Sequence, residues 1–453
     1  MRSKYLLLFI YILGSVALYI HQAYFLDRTE FSALFFDISL LFMFYILIVN
    51  QLKVDDGPQL MLYIGLSGIL LRVIMLFYLP NLSDDYFRFL WDGSMIGKGE
   101  NPYLVTPETY GLGATLSQYD VVLLENMNSP RYFTVYSPLN QVLFSLAVLI
   151  SPSNIVGQVF VLKFILLLFE LLTIAFLPRL LRAINQPVYF AALYVLNPLV
   201  IIETVGNLHF EGVTASLLIV FFFLLVKGRN LMSSVFLGLA SGIKFIPFLL
   251  FPLILKKLGL RKGIGFLLVS GMMVLLFFVP VISSELVQNM SKSLGLYFRT
   301  FEFNAGIYYV IRSLGYWIKG YNVIETSGWM LGLISAILII LYTVGIKIQT
   351  WNSVFAVAVI SMLSHYLLST TVHPWYIINI LIFSVLSGMY ITGISWSYLV
   401  FLSYYAYGNQ GFDENGFLLT FEYAALILIL ILELRFNIQS GLLRREYLRF
   451  DTK

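Results

Sequence analysis

The sequence predicts an all-α polytopic membrane protein. Of its 453 residues, 59% are hydrophobic and only 11% are charged, whereas about a quarter of the residues are charged in soluble domains. Apolar stretches recur along the whole length, and the largest polar segment covers about residues 81–135. Because a bilayer offers no partners to backbone polar groups, such stretches form helices that satisfy their own hydrogen bonds. We therefore expect one integral membrane domain over residues 1–453.

The predicted spans are the apolar segments between the polar connections. The first is longer than the apolar part of a signal peptide, so we expect it to be retained. Basic residues flank the first and last segments: Arg2, Lys4, Arg435, Arg444, Arg445 and Arg449. By the positive-inside rule both ends are cytoplasmic and the number of spans is even, about 12 to 14. The segments are 5–26, 32–52, 60–79, 137–150, 155–177, 188–203, 210–226, 262–282, 328–347, 352–369, 374–392, 396–407 and 417–434.

Composition also excludes several chemistries. The chain contains no cysteine, so it has neither disulfides nor thiolate metal sites or nucleophiles. Its net charge of +4 comes largely from basic residues in connecting segments, as expected for cytoplasmic loops, and gives no support to nucleic acid as a partner. The sequence has no glycine-rich nucleotide loop and no carboxylate cluster that demands a metal. We expect no cofactor, and the apolar composition identifies the lipid bilayer as a partner.

The polar segment 81–135 is predicted to lie on the outer face, since three crossings from a cytoplasmic start precede it. Its aromatic and apolar content predicts short amphipathic helices against the membrane surface. Ser83 is a typical N-cap, and Gly97 and Gly99 are typical stop signals. Together they predict a short helix over about residues 84–96.

Three ionisable residues begin this helix. Asp84 and Asp85 lie four and three residues before Arg88, so Arg88 can brace one carboxylate while the other stays free. A free carboxylate at a water-facing rim suits a general base. The alternative is a helix cap with a surface ion pair.

Segment 231–255 has basic residues at both ends, which predicts two cytoplasmic ends. One interpretation is a hairpin of two half-helices broken near Gly242, Lys244 and Pro247, with Lys244 at the buried apex. The other is a single span. A buried lysine needs an anion, such as a lipid-linked phosphate.

Other charged residues lie at or within apolar segments, where they are costly and usually have a partner or a function. The alternative for Lys244 is that it snorkels or pairs with Glu170 or Glu203. Lys163 and Glu170, seven residues apart on one helical face, are expected to pair with each other. Glu203 lies deep in an apolar run.

The segments around His209 and His373 are the last candidates. His209 and Glu211 lie just before an apolar run. The alternative for His209 is a structural role, since a histidine at the end of a helix is often a cap. In His373-Pro374-Trp375-Tyr376, Pro374 suits the first turn of a helix. A helix N-terminus with imidazole and aromatic side chains favours an anion, although an interfacial aromatic belt is the alternative.

Several of these motifs resemble those of a known family. The outer segment is similar to the first outer loop of GT-C glycosyltransferases, most closely of bacterial polyprenyl-phosphate-mannose-dependent mannosyltransferases. The likeness extends to the segments around Glu203, His209 and Glu211, around Lys244, and to His373 through Tyr376. The chain departs from the simplest family plan by placing two spans before the helix that leads into this loop. The outer motifs are Asp85-x-x-Arg88-Phe89, Trp91-Asp92-Gly93, Asn101-Pro102-Tyr103 and Tyr136-Ser137-Pro138-Leu139.

The resemblance implies a GT-C-like helical bundle in a bacterial plasma membrane, with its active site on the outer face. It implies transfer of a hexose, first of all mannose, from a polyprenyl phosphate to a glycolipid or glycan acceptor with inversion. Asp85 is then the base, with Asp84 as its substitute, and Lys244 and His373 hold the donor phosphate. The other implied substrate contacts are Arg88, Glu203, His209, Glu211 and Tyr376.

Two alternatives remain. A transporter or flippase of lipid-linked sugars would also bury charges in a helical bundle, but it predicts internal repeats, and none is clear in this sequence. A glycan polymerase that uses a lipid diphosphate would need more than two cationic phosphate contacts.

Overall fold

The structure is a computed structural model that describes residues 2–53, 57–408 and 412–439. Over these ranges the chain is helical and has no β-strand. A single isolated parallel bridge joins Phe303 to Thr371. The predicted all-α class is confirmed.

The N-terminal third contains three long helices and most of the polar segment 81–135. Helices α1 (Arg2–Tyr24), α2 (Phe31–Leu52) and α3 (Pro58–Ile74) are followed by the short helices α4 (Asp85–Gly97), α5 (Pro107–Gly113) and α6 (Gln118–Asn126).

Caps define the helices of the polar segment 81–135. Helix α6 begins with a capping box in which Ser117 and Asp120 bond each other's backbone N–H groups, a reciprocal arrangement that satisfies two free donors. Helix α4 lies one residue later than predicted. Its N-cap residue is Asp84 rather than Ser83, and Ser83 Oγ instead accepts a hydrogen bond from the Asp85 N–H at 3.3 Å.

The centre of the molecule is built by α7 (Pro138–Ile150), α8 (Ile155–Ala183), α9 (Phe190–Val195), α10 (Pro198–Val200) and α11 (Glu211–Val226). A π-helical turn over Ile201–Gly206 continues α10, and the chain then bends by 113° before α11. This sharp bend, between two apolar helical pieces, carries three of the predicted site residues: Glu203, His209 and Glu211.

Segment 231–255 is broken, as one of the two interpretations predicted. Helix α12 (Asn230–Ile243) ends just before Lys244, and a 3₁₀ turn over Ile246–Leu250 leads into α13 (Phe251–Leu258) and α14 (Leu260–Phe278).

The directions of these helices support the hairpin. Ser270 of α14 donates a hydrogen bond to the Ser234 carbonyl of α12 at 2.8 Å. One turn further along both helices, Gly238 packs against Met273, so α12 and α14 run the same way. Helix α13 folds back onto α14 across Gly259. Since α13 therefore runs against α12, the chain reverses near Lys244.

The C-terminal part contains two helices in a stretch without a predicted span, α15 (Ser284–Arg299) and α16 (Ile307–Lys319). The 3₁₀ turns cover Pro374–Tyr376 and Val400–Tyr407. The remaining helices are α17 (Ile324–Gly345), α18 (Trp351–Leu367), α19 (Ile377–Ser387), α20 (Tyr390–Leu399) and α21 (Gly416–Gln439).

Six of the described helices are long and apolar enough to cross a membrane, and the bent pair around residues 207–210 makes up to seven. Several predicted spans are instead shorter apolar helices of 10–17 residues, because prolines and caps interrupt the apolar segments. The total of 12 to 14 crossings stays a prediction. Arg444, Arg445 and Arg449, on which the inside C-terminus partly rests, lie outside the described residues.

Buried charges tie the core together. The predicted pair of Lys163 and Glu170 is wrong, because Arg72 of α3 lies 2.7 Å from Glu170 and both side chains have no exposure. Lys163 instead donates to the carbonyls of Met75 and Tyr78 at 2.8 and 2.7 Å, just after α3 ends. Carbonyls at a helix C-terminus have no helical partner, so a lysine satisfies them.

Candidate functional site

One large cavity brings most of the predicted site residues together. Its volume is about 850 Å³, and its walls come from α4, the segment around residues 128–137, the end of α12, α15, α17 and the segment before α19. Seven of the nine predicted residues line it: Asp84, Asp85, Arg88, Glu211, Lys244, His373 and Tyr376.

The two neighbouring aspartates have different partners. Asp84 forms an ion pair with Arg28 at 2.8 Å, and both side chains are partly exposed. Asp85 accepts a hydrogen bond from the neutral amide of Asn128 at 2.8 Å. The charge of Asp84 is therefore compensated, whereas that of Asp85 is held in place without a cation.

Arg88 does not brace either aspartate, so that prediction is wrong. Its Nε donates to Asp92 at 2.8 Å, and one terminal nitrogen donates to the carbonyls of Ser129 and Tyr132 at 3.0 and 2.9 Å. Gln141 holds the other oxygen of Asp92 at 2.9 Å. Arg88 thus holds residues 128–134, a connecting segment that we call the strap, against α4. The remaining nitrogen of Arg88, Nη2, is buried without a partner.

Lys244 is placed in the cavity by the end of α12. It is the C-cap residue of that helix and has an extended backbone, which turns its side chain out of the helical path. Its ammonium lies 2.9 Å from Glu211 Oε1 and 5.7 Å from the centre of the Tyr136 ring. The predicted partners Glu170 and Glu203 are both wrong. The second oxygen of Glu211 is buried without a partner.

A 3₁₀ turn leads into α19; His373 is its N-cap residue and Tyr376 its last residue. The segment before it is fixed by the isolated bridge. The Phe303 N–H donates to the Thr370 carbonyl at 3.1 Å, and the Val372 N–H donates to the Phe303 carbonyl at 2.8 Å. The His373 ring lies parallel to that of Trp375, with centroids 4.4 Å apart and an interplanar angle of 5°.

Glu203 and His209 lie behind this wall rather than in it. His209 stacks on the other face of Trp375 with centroids 3.6 Å apart, and its Nδ1 lies 3.0 Å from Glu203. Glu203 also accepts a hydrogen bond from the Tyr404 hydroxyl at 2.7 Å. His209, Trp375 and His373 therefore form a three-ring column whose far end is anchored by a buried carboxylate.

The groups of the cavity are electrostatic neighbours. Asp85, His209 and Lys244 all act on the His373 imidazole. Asp85 and Glu211 both act on the Tyr376 hydroxyl. The cavity can thus bind an anion at the Lys244 ammonium and the His373 imidazole, with the Asp85 carboxylate in the same cavity. Within residues 2–53, 57–408 and 412–439, no three His, Asp or Glu side chains are grouped as metal ligands, and we assign none.

Three cavity residues were missed from the sequence. Arg28 lies in the short connection between α1 and α2, and Asn128 lies in the strap; only the fold brings them to the aspartates. Tyr297 of α15 lines the cavity within electrostatic range of Asp85 and Glu211, but nothing local distinguishes it among the chain's 30 tyrosines. The one available signal was that Arg28 lies in a connection predicted to be on the outer face, where the positive-inside rule does not favour a basic residue.

The fold and the cavity define a polytopic helical membrane protein with a shared acid, cation and imidazole site. A family model described as alpha-(1->6)-mannopyranosyltransferase, N-terminal domain, matches residues 31–258. Since the match covers half of the 453-residue chain, the chain belongs to this mannosyltransferase family, and the resemblance seen in the sequence is confirmed. No curated protein matches the chain. His373 and Tyr376 lie outside the matched residues.

Proposed function

We propose that this mannosyltransferase takes mannose from a polyprenyl phosphate and transfers it to a hydroxyl of a glycolipid or glycan, with inversion. The observation that carries the proposal is the convergence of Asp85, Lys244 and His373 on one cavity. The reaction would take place at the outer face of a bacterial plasma membrane, where the segment 81–135 is predicted to lie.

In this mechanism Asp85 removes the proton of the acceptor hydroxyl as a general base. The acceptor oxygen attacks the anomeric carbon while the bond from that carbon to the phosphate oxygen breaks. Attack from the side opposite the leaving group inverts the configuration. Lys244 and His373 stabilise the charge on the departing lipid phosphate.

Asp85 suits the base better than Asp84. Arg28 forms an ion pair with Asp84 at 2.8 Å, so that carboxylate is already bound to a cation. The Asn128 amide orients Asp85 at 2.8 Å without a positive charge.

A lipid diphosphate as the donor would need more than two cationic contacts. Arg28, Arg88 and Lys244 each lie beside a carboxylate, Asp84, Asp92 and Glu211 respectively, so the cavity has no surplus positive charge for a second phosphate. The two contacts that we assign to the donor, Lys244 and His373, suit a monophosphate. Transport requires no proton transfer from a substrate hydroxyl, so a carboxylate placed beside a phosphate site favours a transferase over a transporter.

The test uses purified protein in liposomes with radiolabelled polyprenyl phosphate mannose and a lipid extract as the source of acceptors. We expect transfer of label, with the opposite anomeric configuration in the product by NMR. A nucleotide-linked mannose at the same concentration should give no transfer. Transfer from the nucleotide sugar but not from the lipid phosphate would overturn the proposal.

A further inference from the structure

One buried polar side chain in the cavity wall has no part in the mechanism given so far. Asn379 of α19 lines the cavity and is fully buried, with 0% of its surface exposed. Among the described residues, neither its amide oxygen nor its amide nitrogen has a hydrogen-bond partner. Burying an amide without partners is costly, so the packing of the core gives no reason for an asparagine at this position.

The start of α19 aims Asn379 to the same side as Tyr376. The two residues are three positions apart, so their side chains share one helical face, and both line the cavity. The Tyr376 ring stacks on that of Tyr366 from α18, with centroids 5.7 Å apart at an angle of 23°. The Tyr366 hydroxyl is near the Asn379 amide but does not reach hydrogen-bond geometry. We call Tyr366, Tyr376 and Asn379 the polar floor of the cavity.

The polar floor lies next to the groups proposed for catalysis. The ring of His373, a proposed phosphate contact, has its centroid 5.3 Å from that of Tyr376. The Tyr376 hydroxyl is within electrostatic range of both Asp85 and Glu211, and the Tyr366 hydroxyl is within range of Glu211. A group bonded directly to the donor phosphate and within reach of the base therefore rests on this floor.

The chemistry of the floor matches a sugar. Hydroxyl groups both donate and accept hydrogen bonds, and the Asn379 amide offers two donors and an acceptor. The second oxygen of Glu211, which also has no partner within the described chain, adds an acceptor beside the floor. An isoprenoid chain would leave all of these groups unpaired, which is unfavourable. The sugar of the donor, rather than its lipid, therefore fits this part of the cavity.

We propose that Asn379 binds ring hydroxyls of the donor hexose and thereby selects the sugar that is transferred. This inference rests on the proposed function, because it takes a polyprenyl phosphate hexose as the donor. A buried amide that matches substrate hydroxyls rejects an analogue that lacks one of them, since the amide is then left unpaired. Asn379 is thus a specificity-determining residue, distinct from the base and from the phosphate contacts.

The test compares donors that lack single hydroxyls. Purified protein in liposomes receives polyprenyl phosphate mannose, or an analogue that lacks one sugar hydroxyl, each hydroxyl in turn, with the same acceptor extract. The value of kcat/KM is measured for each donor. Asn379→Leu removes the amide and keeps a side chain of similar size. The matched control is Ser384→Ala on the same helix, because Ser384 is buried and has no side-chain partner in the described ranges, yet does not line the cavity.

We expect the wild type to prefer mannose over at least one deoxy analogue by about tenfold or more. Asn379→Leu should reduce that preference to within about threefold, whereas Ser384→Ala should keep it. Because each preference is compared between proteins, the intrinsic reactivity of a deoxy sugar cancels. A preference that Asn379→Leu leaves unchanged, or equal use of all donors by the wild type, would overturn the inference while leaving the proposed function standing. If the wild type transfers no mannose from the polyprenyl phosphate, the proposed function itself fails.

Thermal unfolding in detergent without donor gives a second measurement that does not depend on activity. Since no described residue pairs with the Asn379 amide, Asn379→Leu should unfold at the wild-type temperature or above it. A clearly lower unfolding temperature, or a variant that does not fold, would show that the asparagine supports the fold and would overturn its assignment to the substrate.

Discussion

The Lys244 ammonium lies 2.9 Å from the Glu211 carboxylate in the wall of the cavity. Both residues are delivered by breaks in apolar helices, Lys244 by the end of α12 and Glu211 by the 113° bend before α11. The pair keeps a cation at this depth when no anionic ligand is bound, since a lone buried charge is costly. A donor phosphate would share Lys244 with Glu211.

Lys244→Gln should reduce mannose transfer on the order of 100-fold, because the departing phosphate loses a charged contact. Initial rates at several donor concentrations will show whether kcat falls as well as affinity. The control is Lys262→Gln at an exposed position of α14, which should have no effect. Since Lys244→Gln leaves Glu211 unpaired, the double variant Lys244→Gln/Glu211→Gln separates folding from function. A fully active double variant would contradict the phosphate role.

Trp375 is predicted to position His373 through their parallel rings. Trp375→Ala should lower transfer about tenfold, because an aromatic stack contributes about 0.5–1.5 kcal/mol beyond its buried area. Trp375→Phe keeps a ring between His209 and His373 and should retain most activity. Donor KM and kcat of the two variants are to be compared. Equal activities of the Ala and Phe variants would speak against positioning by the stack.

The local features of the site could be predicted from the sequence. The helix expected over 84–96 is α4 at Asp85–Gly97, and the chain breaks near Lys244, as one of the two interpretations of segment 231–255 predicted. Both rest on signals between neighbouring residues, namely caps, glycines and prolines. The order of the motifs also led to the correct family.

Partners distant in the chain could not be predicted. Arg72 and Glu170 are 98 residues apart, and helical spacing alone favoured Lys163 as the partner of Glu170. Arg88 was expected to brace one of the two aspartates, but it bonds to Asp92 of its own helix and to two carbonyls of the strap. Periodicity shows which face of a helix is buried, whereas the packing decides what it meets.

Removing one member of the Arg72–Glu170 ion pair should destabilise the protein far more than removing both. Arg72→Met should destabilise the protein by about 3–5 kcal/mol, because Glu170 is left as a buried unpaired charge. The double variant Arg72→Met/Glu170→Met should recover most of that loss. Thermal unfolding in detergent measures both. A double variant as unstable as the single one would show that the charges themselves are needed.

Acid should loosen helix α6. Burial alone would raise the pKa of Asp120, but hydrogen bonds from Lys98 and Ser117 outweigh it, and the pKa lies below the ordinary value of 3.8. A lowered pKa in the folded state means that this stabilisation is present at neutral pH and is lost as pH falls through the folded pKa.

The measurement is amide exchange of residues 118–126, corrected for intrinsic rates, between pH 7 and about pH 3. The protection of α6 should fall toward the acid end in the wild type. Asp120→Asn should be less protected at pH 7 and should change little with pH. The same acid loss in Asp120→Asn would assign the effect to another group.

The most direct test compares Asp85→Asn with Asp84→Asn at equal expression, in transfer of radiolabelled mannose from polyprenyl phosphate mannose. Both changes are isosteric and both residues line the same cavity, so each variant is the control for the other. We predict that Asp85→Asn loses at least about 100-fold in rate, as expected for removal of a general base, while Asp84→Asn keeps substantial activity. Full activity in Asp85→Asn would contradict the account.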